Sequence, residues 1–328
     1  MGSLRYLHLD VFTSTPFEGN QLAVYPEPGA LTADRMQKIA QEMAFSETTF
    51  IYPPEGGGDV RMRIFTPDDE LPMAGHPTIG STFALAHEGV IQRGRENFVF
   101  ELGVGPIPVS LEWGASGLSF AWMTQPLPSF EGIIEDRAAF AAGVGVSAQD
   151  LVDGLPVQSV SSGVPFLFVP LKTRDAVDAA VIDKKALSRC SRDAGLPDLP
   201  VFFFTTEGPA DSDGSGAGRS ARVADVARRG AGGPADENDE TVYSRMLAPG
   251  FGIGEDPATG GASGPLGAYL LHHGVVNATR ARAMVSLQGV AMRRPSRIHI
   301  SIESEAGKVT RVRVGGQSVL VGEGTLQC

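Results

Sequence analysis

Three ionisable residues stand where proton-transfer chemistry could be built. Glu47 lies in "FSETTF", flanked by hydroxyls on an expected strand. A carboxylate isolated in an apolar cleft has a raised pKa and can both take a proton and return it. The plainer alternative is a solvent-facing strand residue. His76 sits at the start of a helical run in "AGHPT". There the helix dipole disfavours the imidazolium, so a neutral hydrogen-bonding or proton-transferring ring fits, with a helix cap as the alternative. Asp256 precedes a second helix start in "EDPATG", where a capping carboxylate is the alternative. Each residue alone is a weak pointer.

The elements that must position them are two glycine-rich helix starts. "AGHPTIGSTFALAHEGVI", 74–91, and "TGGASGPLGAYLLHHGVV", 259–276, align at an offset of 185 residues. Five of eighteen positions match, Gly75/Gly260, Leu85/Leu270, His87/His272, Gly89/Gly274 and Val90/Val275, where composition alone gives roughly one. Each half carries one such helix among many strands. The expectation is an α+β fold of two similar domains, each wrapping strands around a central helix. Gly264 and Gly267 permit close backbone approach. The first N–H groups of each helix have no intrahelical partner and carry about half a positive charge in sum. "AGHPT" and "TGGAS" leave them uncovered by bulky side chains, and Pro77 and Pro265 fit first-turn positions. Two such ends facing each other across a cleft form an anion-receptive site suited to a carboxylate. Glycines serving only packing are the alternative, and both readings stay open here.

Elsewhere, "RYLHLDVFT", "QLAVYP", "SETTFIYP" and "VRMRIFTP" read as strands. "TADRMQKIAQEM" is an amphipathic helix capped by Thr32, with Met36, Ile39, Ala40 and Met43 on its apolar face. Three strand-like runs fill Phe98 to Met123, and "PLPSFEG" reads as a linker between domains. Helices are expected near 135–151 and 184–195, and a strand-rich stretch closes the chain. Residues 207–238, dominated by Gly, Ala, Asp and Ser, read as a flexible surface insertion. Its "DSDGSG" fails as a calcium loop because Arg222 stands where a bidentate Glu is needed.

The 328 residues suit two domains, and 42% hydrophobic with 20% charged residues is ordinary for a soluble globular protein. A net charge of −11 argues against nonspecific nucleic-acid or anionic-membrane partners. No apolar run is long enough to span a bilayer. Two cysteines, Cys190 and Cys328, show no pairing or metal pattern. A reduced, cytoplasmic setting is therefore expected. Phosphate-loop, dinucleotide-binding and nucleophile-elbow motifs are absent, and no metal or other cofactor is expected.

"DVFTSTPFEGNQLAV", "SETTFI", "GHPTIG", "APGFGIGEDPATGGASGPLGAYL" and "GGQSVLVGEG" together resemble the PhzF-like family of phenazine-biosynthesis isomerases. The resemblance runs from about residue 6 to 325, with 207–238 as an insertion. It implies the diaminopimelate-epimerase fold, with two pseudo-symmetric curled sheets and the active site between them. The corresponding domains are 1–125 with the C-terminal strand at about 313–328, and 126–312. It implies cofactor-independent isomerisation of the trans-2,3-dihydro-3-hydroxyanthranilate type and a homodimer. On this resemblance Glu47, His76 and Asp256 are the catalytic set. The backbone at Gly75, Gly260 and Gly261 holds the substrate carboxylate, and Asn20 lines the first-domain side. Ser46, Pro77, Thr259 and Ser263 complete the expected substrate-binding set. One departure stands out: family members often carry Ser where this chain has Gly261. Epimerase relatives use two cysteines at positions occupied here by Ala74 and Thr259, which disfavours a cysteine-dependent racemase. The leading expectation is an isomerase acting on a small carboxylate-bearing metabolite, with Glu47 moving the proton. An epimerase with non-cysteine bases and a non-catalytic binding or interaction protein are the alternatives.

Overall fold

A computed structural model describes residues 2–208 and 240–327. The calcium-loop question and nearly all of the insertion expected at 207–238 fall outside those residues. The strands are β1 (Ser3–Val11), β2 (Asn20–Tyr25), β3 (Glu47–Tyr52), β4 (Val60–Phe65), β5 (Glu70–Leu71), β6 (Asn97–Leu102), β7 (Gly105–Gly114) and β8 (Gly117–Gln125). They continue as β9 (Ser129–Ile134), β10 (Val157–Ser161), β11 (Pro165–Pro170), β12 (Val201–Thr205) and β13 (Val242–Ala248). The last five are β14 (Ile253–Asp256), β15 (Met284–Gln288), β16 (Ser296–Glu305), β17 (Lys308–Gly316) and β18 (Ser318–Gln327).

The strands form one ladder with an internal symmetry. Its first arm runs β18–β1–β2–β3–β4–β6–β7–β8. Its second runs β9–β10–β11–β12–β13–β15–β16–β17. In both arms the pairings follow the same order: antiparallel, antiparallel, parallel, antiparallel, parallel, antiparallel, antiparallel. The short β5 and β14 hang antiparallel on β4 and β13. β8 and β17 pair antiparallel and join the arms. We propose that the arms mark the division into 1–125 with the C-terminal strand and 126–312. Limited proteolysis that released no stable fragment near 125 would count against it.

The two glycine-rich segments are helices of equal length in equivalent places. α2 spans Gly75–His87, and α6 spans Gly260–His272. These bounds differ by the 185 residues that the repeat gave. Gly89 and Gly274 stop them with φ of +73° and +69°, the left-handed turn that glycine makes without strain. Both helices are apolar nearly all round, as a helix enclosed by its own sheet must be. α2 packs against β1, β2, β3, β8 and β18, and α6 against β10, β11, β16 and β17. Leu266, Tyr269 and Leu270 of α6 are fully buried, each such side chain contributing about 1.5–3 kcal/mol.

The amphipathic helix α1 (Ala33–Met43) forms as expected, with Thr32 accepting from the Arg35 amide. It ends on Ala44 in the left-handed region, which turns the chain into β3 at Glu47. In the second arm α3 (Arg137–Gly143), α4 (Arg174–Ala179) and α5 (Lys184–Asp193) lie on the sheet.

Three readings are corrected. The expected linker "PLPSFEG" is half strand, because Ser129–Ile134 pairs with β10 as β9. Pro265 lies inside α6, in its second turn. It removes the bond that an N–H there would give to the Gly261 carbonyl. Phe12 was read as strand but leaves β1 in the left-handed region, at φ +64°.

Candidate active site

The N-termini of α2 and α6 meet tip to tip. A Cβ placed on Gly75 would lie 2.5 Å from the Gly260 carbonyl carbon and 2.6 Å from the Gly261 nitrogen. The contact is backbone on backbone, so both glycines are steric requirements. Two helix ends converging in one buried place concentrate unpaired N–H dipoles there.

Four strand ends and a helix start deliver the polar groups to this junction. Asn20 opens β2 and Glu47 opens the parallel β3, where Glu47 pairs with Leu22. Asp256 closes β14, and His76 is the second residue of α2. Gln288 closes β15. All five are buried, Glu47 with 8% of its surface exposed, so the solvent-facing alternative for Glu47 is excluded. Asp256 does not cap α6, since Thr259 holds the cap position.

Their geometry is compact. Glu47 Oε2 lies 3.0 Å from His76 Nδ1. The Asn20 amide donates to Asp256 Oδ1 at 2.7 Å and to the Ala258 carbonyl at 3.0 Å, and lies 3.2 Å from His76 Nδ1. An amide nitrogen has two protons. The two shorter contacts use both, so the Asn20 approach to Nδ1 is secondary. Glu47 Oε2 and His76 Nε2 are buried and have no hydrogen-bond partner among the described residues. The Glu47–His76 approach is therefore a close contact without hydrogen-bond alignment. Ser46 also bonds the Asp256 carboxylate, and the Thr259 hydroxyl donates to its Oδ2 at 2.5 Å.

Burial raises the proton affinity of both acids. Burial, reinforced by the facing Asp256 charge, pushes the Glu47 carboxyl well above the ordinary carboxylate range. Burial also pushes Asp256 up, to about 6, while bonds from Thr259, Ser46 and Asn20 hold it back. Burial drives His76 down to about 3, partly offset by the nearby Gln21 backbone. At neutral pH the imidazole is therefore neutral. Two buried carboxyls with raised proton affinities in one place are candidates for proton-transfer roles.

The remaining expected residues fall around this centre. Gly260, Gly261 and Pro77 are buried in the helix starts. Ser263 is not aimed as a donor into the cleft; its hydroxyl donates to the Thr259 carbonyl at 3.0 Å. The equivalent Thr78 does the same to Ala74 at 2.8 Å. Gly261 has room that the other tips lack: a Cβ there would meet only the Phe166 ring, at 3.7 Å.

Three residues at the junction were not among the expected site residues. The Phe12 ring packs where a Cβ on Gly260 would be, 2.9 Å from that point. Its left-handed backbone is the kind of strain that collects at functional sites. Gln125 donates to the Gly260 carbonyl at 3.0 Å. Gln288 grips the Asp256–Thr259 segment. A surface trough of about 640 Å³ lies elsewhere, bordered by Glu55, Arg61, Arg63, Glu70 and Glu101. Its arginines pair with Glu55 and Glu70, and none of the candidate acid–base residues lines it. The buried junction is the better chemical candidate.

Comparison with known proteins agrees with this fold. A family model described as phenazine biosynthesis-like protein matches residues 9–205 and 224–324. The chain is 34% identical to a trans-2,3-dihydro-3-hydroxyanthranilate isomerase of Pseudomonas fluorescens, over 98% of each chain. A solved PhzF-family structure from Bacillus anthracis covers 100% of both chains with a TM-score of 0.80 at 23% identity. That of a predicted epimerase from Pseudomonas aeruginosa covers 99% of both, with a TM-score of 0.74 at 29% identity.

Proposed function

This chain belongs to the phenazine biosynthesis-like (PhzC-PhzF) family of isomerases, and from that premise we propose a specific chemistry for it. It is a cofactor-independent isomerase that moves a proton between carbons of a small carboxylate-bearing metabolite. The trans-2,3-dihydro-3-hydroxyanthranilate type is the first candidate. The supporting observation is the Glu47–His76 contact, 3.0 Å long, buried against two abutting helix N-termini.

The step balances without an outside reagent. The ionised Glu47 carboxylate takes a proton from a substrate carbon, and the electron pair left behind spreads toward the substrate carboxylate. N–H groups of the helix starts, held at the Gly75 and Gly260–Gly261 backbone, stabilise that charge. Protonated Glu47 then returns the proton to a second carbon. Its raised proton affinity suits both halves of the step. Neutral His76, in close contact with Glu47, assists the transfer, and Asp256 orients a polar substrate group.

Glu47→Gln keeps the shape and removes the base. Turnover of trans-2,3-dihydro-3-hydroxyanthranilate is expected to fall by about 10²–10⁴-fold, with a carbon-bound deuterium partly retained in the wild-type product. Activity within tenfold of wild type ends the Glu47 assignment. Complete exchange with solvent accompanied by inversion favours the epimerase alternative, and binding without exchange favours a non-catalytic protein. The resemblance also supports a cytoplasmic homodimer; sedimentation as a single 34.5 kDa species would exclude the dimer.

A further inference from the structure

Gln288 lies outside every motif that carries the family resemblance. It is fully buried at the end of β15 and is saturated by one segment of chain. Its Oε1 accepts from the Thr259 N–H at 3.0 Å. Its Nε2 donates to the Asp256 carbonyl at 2.7 Å and to Thr259 Oγ1 at 2.9 Å.

These contacts fix every proton. A backbone N–H can only donate, so the Gln288 atom facing Thr259 N must be the carbonyl oxygen. The other end is therefore the NH₂ group, and its two protons go to the two remaining contacts. Thr259 Oγ1 thus receives a hydrogen bond, and its single proton must point elsewhere. Asp256 Oδ2 lies 2.5 Å away. A hydroxyl that rotates freely in most settings has one orientation here.

We propose that Gln288 is a positioning residue: it locks the Thr259 hydroxyl as a donor to Asp256 and so keeps that carboxylate charged and aimed at the helix junction. The proposal rests on the reading of Asp256 as part of the reacting site. The first arm has no counterpart to this clamp. Ala74, equivalent to Thr259, offers no side-chain cap, and Leu102 closes β6 as Gln288 closes β15. The groups that face Asp256 are Glu47 of β3, Asn20, Ser46 and Thr259, with His76 of α2 beyond Asn20. Its neighbour Glu255 is held by Arg245 of β13 at 2.7 Å.

The test reads the Asp256 carboxyl directly, apart from turnover. Protein carrying ¹³C-carboxyl aspartate is titrated by NMR in a Glu47→Gln background, where Glu47 no longer couples to Asp256. Asp256→Asn assigns the signal. Gln288→Met is expected to raise the Asp256 midpoint by about one pH unit. Thr259→Val should raise it equally, and the double variant no further. Thr259→Ser, which keeps the hydroxyl, should leave it unchanged. If Gln288→Met does not fold, Gln288→Asn is the substitute; it is one methylene too short to hold Asp256 O and Thr259 Oγ1 together and should give the same upward shift. A midpoint that moves with Thr259→Val but not with the Gln288 variant overturns the proposal, as does one that moves with neither. With Glu47 restored, kcat/KM of the Gln288 variant should fall with KM little changed. If Asp256→Asn proves fully active while the midpoint shifts hold, the clamp stands and the catalytic reading of Asp256 fails instead.

Discussion

Adding one methyl group at Gly75 should separate the two helix starts and leave nearly everything else in place. In Gly75→Ala the new Cβ would lie 2.5 Å from the Gly260 carbonyl carbon and 2.6 Å from both Gly260 Cα and Gly261 N. All three atoms are main chain, so no rotamer change relieves the clash. Ordinary contact begins near 3.4 Å, so the tips must part by about 1 Å. Overpacking of this kind costs ~1–3 kcal/mol, and alanine's better helix propensity returns up to about 1 kcal/mol. The net loss of stability is therefore small, a drop of a few degrees in Tm. Chemistry should suffer more, because a displacement of about 1 Å in a preorganised site costs on the order of 10²-fold. Gly261→Ala is the matched control: its Cβ meets only the Phe166 ring, at 3.7 and 3.8 Å. The assay is kcat/KM on trans-2,3-dihydro-3-hydroxyanthranilate, with Tm as the substrate-independent readout. If Gly75→Ala keeps wild-type Tm and activity within tenfold, the tips are not in contact and the site as drawn is wrong. A Gly261→Ala variant as damaged as Gly75→Ala would refute the steric reasoning equally.

Glu47 should also be visible in stability against pH. Its proton affinity in the folded protein lies above the ordinary value of 4.5, so the folded state binds the extra proton. Stability from this group is complete below 4.5 and is lost as pH rises through the folded midpoint. Glu47→Gln has no proton to lose, so its Tm advantage over wild type should grow from pH 4.5 to 8. A difference flat across that range would refute the buried assignment. His76, pushed down to about 3, acts in the opposite sense below 6.5 but is common to both proteins and cancels. Gly261→Ser places a hydroxyl where the site has room. One new buried hydrogen bond contributes ~0.5–1.5 kcal/mol, so KM for the same substrate should fall by up to about tenfold with kcat little changed. An unaltered KM would remove position 261 from substrate recognition.

The two helix starts were legible in the sequence because each must satisfy two demands at once. An enclosed helix needs an apolar surface all round, and tip-to-tip contact needs glycine, so α2 and α6 carry a composition that few other segments share. Glu47, His76 and Asp256 followed because they sit beside those starts. What was hidden depended on pairing between distant segments. β9 was hidden in "PLPSFEG", since a strand that among the described residues pairs with β10 alone needs no apolar alternation. β14 is only the four residues "IGED", with too little pattern to see. Pro265 looked like a first-turn residue because proline usually is one; the tertiary fold holds it a turn deeper. Gln288 gave no signal because a lone glutamine acquires meaning only through the atoms placed around it.

On the proposed function, the internal symmetry divides the site into scaffold and chemistry. Thr78 and Ser263 occupy equivalent places and make the same bond back to the residue before their helix, as scaffold would. The proposed acid–base groups break the symmetry. Glu47 opens β3 opposite Leu22, and Val201 opens β12 opposite Leu167. Asn20 opens β2 where Pro165 opens β11. His76 corresponds to Gly261 at the offset of 185, and Asp256 to Leu71. Inversion at carbon by two bases needs comparable groups facing each other from the two halves, and neither Ala74 nor Thr259 is a thiol. Here one half supplies a carboxyl–imidazole pair and the other a carboxylate held by Asn20, Thr259 and the Gln288 clamp. An arrangement so unequal suits a single group that takes a proton and gives it back on the same face. The partial retention of deuterium expected in the product is the direct consequence of that inequality.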